Sequence, residues 1–156
     1  MYAVCLRYAR NSEDAQDILQ DGFVRAFEKL GQFRGEGSFE GWIRRIMIHT
    51  ALRAYQRRRF EFEKDTLEDS PDPGTAPEAL SRLSEAELLE LIARLPDGYR
   101  VIFNLVAIEG YSHTEVAEAL DIQESTSRSQ LTKARKWLIG ELKKMQRINT
   151  NPKVKT

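Results

Sequence analysis

Apolar residues recur at intervals of three and four along most of this chain, and no stretch alternates with the period of two that a half-buried strand needs. Val4, Leu6 and Tyr8 in a polar background mark a helix near the start, with no capping residue ahead of it. Ser12 reads as the N-cap of a second helix reaching about Leu30, with Glu13 and Asp14 in the first turn, where the helix dipole favours acids. Its apolar stripe is Ala15, Ile18, Leu19, Phe23, Phe27 and Leu30. The glycines of residues 31–37 make a loop. Ser38 then caps a third helix, to about Arg58, whose apolar positions are Phe39, Trp42, Ile43, Ile46, Met47, Ala51 and Ala54.

From Phe60 to Ser81 the periodicity stops, and Pro71, Pro73, Gly74 and Pro77 stand among acids, which predicts a mobile linker. It resumes with Leu80, Leu83, Leu88, Leu91, Ile92 and Leu95, breaks at Pro96-Asp97-Gly98, and continues from Tyr99 to Glu109 with Gly110 as a stop. Ser112 and Glu115 form a capping box ahead of Val116, Ala117 and Leu120. Asp121-Ile122-Gln123 interrupts the pattern, and Asp tolerates the left-handed backbone such a turn needs. A last helix opens at Glu124 or Ser125, with Leu131, Ala134, Leu138, Leu142 and Met145 on its apolar face. The pattern predicts an all-α protein of two small helical domains, 1–60 and 81–145, joined by a flexible acidic linker, 61–80, and followed by a basic tail, 146–156. The second domain contains a helix-turn-helix.

Charge sharpens this division. The formal net charge is zero, yet residues 34–59 hold seven Arg against Glu36 and Glu40, and residues 125–156 hold nine Lys or Arg against Glu141 alone. The residues between them, 60–124, carry sixteen acids and four bases. Two basic blocks separated by an acidic one imply separate surfaces with different partners, and weak binding to DNA by the free chain. On the last helix Ser125, Thr126, Arg128, Ser129, Thr132, Lys133 and Arg135 are donors or cations suited to base edges and phosphates in a major groove. Around residues 33–57, the aromatic Phe33, Phe39 and Trp42 interleave with Arg34, Arg44, Arg45, His49, Arg53 and Arg57. Arginines can neutralise phosphates while a ring stacks an unpaired base. The second helix presents Asp14, Asp17, Gln20 and Asp21 as an acidic face for a protein partner.

Other chemistries are disfavoured. Cys5 is the one cysteine, so there is no internal disulfide, as suits a reducing cytoplasm, and a buried apolar role fits it better than a nucleophilic one. His49 and His113 without a cysteine pair make no metal set. No cofactor motif and no catalytic constellation is present, the glycine loop lacks the lysine ending of a phosphate-cradling loop, and no run reaches the length of a transmembrane helix.

The order of segments resembles the bacterial sigma factors, specifically the extracytoplasmic-function (ECF) group that has only the second and fourth conserved regions. The stretches that carry the likeness are DAQDILQDGFVRAF, FRGEGSFEGWIRRI, LPDGYRVIF and EVAEALDIQESTSRSQLTKARKWL. The resemblance implies that Asp14, Asp17, Gln20, Asp21 and Phe27 dock on core RNA polymerase. It implies that Phe33 to Ile46 captures and melts a promoter −10 element, with the arginines of the third helix following its strand. The last helix would read the −35 element, and an anti-sigma factor would hold the free protein inactive. Asp121 stands where the family usually has glycine, Ser127 where it often has valine and Gln130 where arginine is common. The family's first helix is largely absent, so an upstream segment is expected. The competing expectation is a regulator that binds duplex DNA through the helix-turn-helix alone, for which residues 33–59 would have no purpose.

Overall fold

A computed structural model describes residues 1–61 and 84–149, and the side chains of 1–59 and 84–147. Every regular element among them is helical. The expected linker beyond Glu61, the expected helical positions Leu80 and Leu83, and residues 150–156 lie outside the described residues. The chain divides into two compact units, one built on the first three helices and the other holding the remaining helices apart from the end of the helix before the turn.

The first unit consists of α1 (Tyr2–Tyr8), α2 (Ser12–Glu28), a 3-10 turn (Leu30–Gln32) and α3 (Phe39–Glu61). The N-cap of α2 is Asn11 rather than Ser12: its side-chain oxygen accepts from the Asp14 amide at 2.8 Å. Both residue types suit that position, and the geometry selects Asn11 by its extended backbone, φ −155°. The α2 stripe also departs from expectation. Ala15, Ile18, Gly22 and Ala26 are buried, whereas Phe23, Phe27 and Leu30 are exposed, Phe27 by 74%. The reason is a close approach of α2 to α3. A Cβ on Gly22 would lie 2.2 Å from Sδ of Met47, which is itself fully buried, so small residues and not large ones line the contact. Met47, Ile48, Thr50, Ala51 and Leu52 supply the α3 side of the core, with Val4, Cys5 and Tyr8 from α1. Thr50 satisfies its hydroxyl on the Ile46 carbonyl at 2.8 Å.

The second unit begins at α4 (Glu85–Ala93), capped by a reciprocal Ser84–Glu87 box. It continues through α5 (Asp97–Phe103), a π-helical segment (Asn104–Ile108), α6 (His113–Leu120) and α7 (Glu124–Asn149). Leu91, Ile92, Leu95, Tyr99, Ala134, Leu138 and Leu142 form one core cluster of α4, α5 and α7. Arg100 is buried among them. It donates to the Ala93 carbonyl at 3.1 Å and to the Asp97 carboxylate at 2.7 Å, covering a carbonyl at the end of α4 that the helix leaves open. The helix expected from Tyr99 to Glu109 is not uniform: the Glu109 amide reaches back to the Asn104 carbonyl, five residues away, and Gly110 ends it at φ 78°. α7 runs to Asn149, into the stretch read as a tail.

Candidate nucleic-acid and partner interfaces

Gly35 and Gly37 take φ of 73° and 84°, which turns the loop before α3 back on itself. Ser38 Oγ accepts from the Gly41 amide at 3.3 Å, so α3 starts where the sequence predicts. This geometry gathers Phe33, Phe39 and Trp42. Ring centroids are 5.2 Å apart for Phe33–Phe39, 5.4 Å for Phe33–Trp42 and 5.7 Å for Phe39–Trp42, the last pair tilted by only 20°. Phe33 and Trp42 are half-buried, while Phe39 is 46% exposed, so the cluster braces itself and still offers a ring to solvent.

Along α3, Arg45, His49, Arg53 and Arg57 are exposed and stand four residues apart, which puts them on one stripe; Arg34 is exposed in the loop, and Arg44 is half-buried with a partner of its own. His49 and Arg53 also line a cleft of about 240 Å³ with Arg25 and Lys29 of α2. In the sequence the one signal for Arg25 and Lys29 is their one-turn spacing on the second helix. Partial desolvation on its cleft side, then the charges of Arg53, Lys29 and Arg45, hold His49 below the ordinary imidazole value, which favours the neutral ring at pH 7.

The expected acidic face of α2 separates into two parts. Asp17, Gln20, Asp21 and Phe27 are exposed, and with Phe23, Val24 and Leu30 they form a mixed acidic and apolar surface. Asp14 is instead tied inward. Its carboxylate accepts from Arg10 at 2.7 and 3.1 Å and from Arg58 of α3 at 3.4 Å, and the Arg10 hydrogen bond, with the Arg58 and Arg10 charges, holds it below the usual carboxylate value.

In the helix-turn-helix, Ser112 and Glu115 make both capping-box bonds, amide to carboxylate at 2.8 Å and amide to hydroxyl at 3.2 Å. Asp121 takes φ 52°, and the Ile122 amide closes the turn on the Ala117 carbonyl. Ser127 faces inward on α7, fully buried, and its hydroxyl meets Nδ1 of His113 at 2.9 Å. This side-chain bond joins the first helix to the second, and sequence reading did not find it. On the outward side Ser125, Arg128, Ser129, Thr132 and Arg135 are exposed, while Thr126 and Lys133 are half-buried. Thr132 spends its hydroxyl proton on the Arg128 carbonyl at 3.1 Å, leaving its oxygen as an acceptor, and Arg128 is held by Glu124.

Among the described residues no group of His, Cys, Asp or Glu could hold a metal ion, and no helix is long and apolar enough to cross a membrane. Cys5 is fully buried, and burial pushes its thiol pKa up.

Two family models match the chain: Sigma-70 region 2 over residues 1–61 and Sigma-70 region 4 over residues 85–138. The chain is 33% identical over 144 residues to the RNA polymerase sigma-H factor of Pseudomonas aeruginosa, covering 83% of this chain and 74% of that protein. It is 31% identical over 141 residues to the ECF RNA polymerase sigma-E factor of Haemophilus influenzae, covering 83% and 75%. Against the probable RNA polymerase sigma factor RfaY of Xanthomonas campestris pv. campestris, identity is 32% and 95% of this chain aligns, but it spans only 38% of that protein. The Bartonella quintana sigma factor RpoE, solved with the anti-sigma factor NepR, shares the fold at a TM-score of 0.53, with 20% identity and coverage of 92% and 89%. One family model falls on each helical unit, and the identities span most of the sigma-H and sigma-E relatives: the chain belongs to the ECF RNA polymerase sigma factors.

Proposed function

We propose that this chain directs core RNA polymerase to promoters, acting in the cytoplasm by binding and not by catalysis. Residues 1–60 form the domain that engages the polymerase and the −10 element, 61–80 the linker, 81–145 the domain that reads the −35 element, and 146–156 a basic extension whose first residues, to Asn149, continue α7. About twenty linker residues, fully extended, span roughly 65 Å, or about 19 base pairs, enough to serve two promoter elements.

The observation that carries this reading is the braced cluster of Phe33, Phe39 and Trp42 beside a row of arginines. A duplex-only regulator has no use for an exposed ring there. Melting a promoter costs a few kcal/mol per unstacked step. Stacking of a freed base on Phe39 returns roughly 1–3 kcal/mol, and the phosphates of the unpaired strand lie along Arg34, Arg44, Arg45, His49, Arg53 and Arg57, with Arg25 and Lys29 flanking them. Asp17, Gln20, Asp21 and Phe27 dock on the polymerase, and Asp14 supports them from within. Ser125, Thr126, Arg128, Ser129, Thr132, Lys133 and Arg135 read duplex. An anti-sigma protein, as in the Bartonella complex, covers the free factor.

The test is a pull-down of core RNA polymerase by the chain, followed by permanganate footprinting on promoters selected from a random library. Core binding with reactive thymines near the −10 element is the expected result. Sequence-specific duplex binding without core association or melting would sink this reading and favour the duplex-only regulator.

A further inference from the structure

The outward face of α7 carries one acid in its first turns, Glu124, among hydroxyls and cations. Its carboxylate accepts a hydrogen bond from Nη2 of Arg128, one turn further on, and forms an ion pair with it. A bare carboxylate at the helix end that enters the groove would face phosphates and repel them. Paired, it does two things. It occupies one guanidinium N–H and fixes the side chain, leaving the other donors of the fork for a base. It also places a negative charge where Arg128 would otherwise swing to a phosphate.

We propose that Glu124 is a specificity-determining positioning residue, whose carboxylate holds the Arg128 guanidinium for a base edge and keeps it off the DNA backbone. This rests on the promoter-reading function above. An acid in the first turn also favours the helix dipole, but that effect cannot distinguish one base pair from another, which sets the test.

The experiment uses the full chain with core RNA polymerase on duplexes randomised at the −35 element with a fixed −10 element. Wild type, Glu124→Ala, Glu124→Gln, Arg128→Ala and the Glu124→Ala/Arg128→Ala pair are compared. Arg128→Ala removes discrimination at one base-pair position. Glu124→Ala lowers discrimination at that same position by roughly two- to fivefold, the scale of one exposed ion pair, and has no further effect there once Arg128 is gone. It also steepens the log–log salt dependence of the free chain on random duplex by about one, as one more cation reaches phosphate. Glu124→Gln, which keeps an acceptor but not the charge, recovers part of the discrimination while retaining the steeper slope. Equal weakening across all sequences, an altered preference at a different base pair, or a Glu124→Ala effect that persists without Arg128 would each overturn the proposal. A wild-type holoenzyme indifferent to every −35 position would overturn the promoter-reading function itself, and this proposal with it.

Discussion

Gly22→Ala tests the packing of the first unit at its tightest point. On an isolated helix the change is favourable by about 0.8–1.0 kcal/mol, because glycine is the poorer helix former. Here the new methyl would sit 2.2 Å from Sδ and 3.1 Å from Cε of Met47. An ordinary contact is roughly 3.5–4.0 Å, so the sulfur must retreat by about 1.5 Å. Met47 is fully buried and has nowhere to go without displacing its neighbours. Overpacking of this kind costs roughly 1–3 kcal/mol, and it exceeds the helix gain. The expected net effect is a loss of about 1 kcal/mol, or roughly 1 M in urea midpoint for a small unit with a slope near 1 kcal/mol/M. Trp42 and Trp137 lie in different units, so Trp42 emission in a Trp137→Phe background follows the first unit alone. Met47→Val deletes the offending atoms; in that background Gly22→Ala should become neutral or stabilising. A Gly22→Ala variant that is as stable as its parent, or one equally destabilised with Val at 47, refutes the steric explanation.

Three further outcomes are expected. Asp14 has a folded pKa below its unfolded value near 4, so its contribution is present above that value and disappears as pH falls through the folded pKa. Asp14→Asn should therefore lower first-unit stability at pH 7, and the gap from wild type should close on acidification in a urea-midpoint series against pH. His113→Ala and Ser127→Ala should each cost about 1 kcal/mol in the second unit, with a coupling of roughly 0.5–1 kcal/mol in a double-mutant cycle read by Trp137 fluorescence; additive losses would mean the bond carries no weight. Phe39→Ala removes a ring that packs on Phe33 and Trp42, so it should cost first-unit stability about 1–2 kcal/mol while reducing open-complex formation by roughly tenfold in permanganate footprints taken where the unit is still folded.

What the sequence made legible was local. The Ser112–Glu115 box, the Ser38 cap, the left-handed Asp121 and the terminating Gly110 are decided within four residues of chain, and each stands where the pattern put it. What escaped was decided between helices. The spacing of Phe23, Phe27 and Leu30 marks an apolar stripe but cannot tell a buried face from an exposed one. The choice fell to Gly22 and Ala26, whose small size lets α3 approach on their side. The same holds for the candidate interface. Phe33, Phe39 and Trp42 are near neighbours in sequence and could be grouped by reading. Arg25 and Lys29 reach His49 and Arg53 only through the packing of α2 on α3, and His113 finds Ser127 only across the turn. The π-helical segment at Asn104–Ile108 has apolar spacing compatible with an ordinary helix, so periodicity alone could not reveal it.

The burial of the Met47 sulfur gives the molecule a built-in clock. Peroxide can convert a thioether to a sulfoxide only where it can reach the sulfur, and a sulfoxide oxygen would not fit against Gly22. Met145, 36% exposed near the end of α7, is open to peroxide in the folded unit, whereas Met47 should be modified only as often as the first unit opens. The ratio of the two in a single peptide mass spectrum thus times breathing in one unit against an internal standard in the other, with no label added. Any partner that clamps α2 onto α3 should slow the Met47 reaction and leave Met145 unchanged.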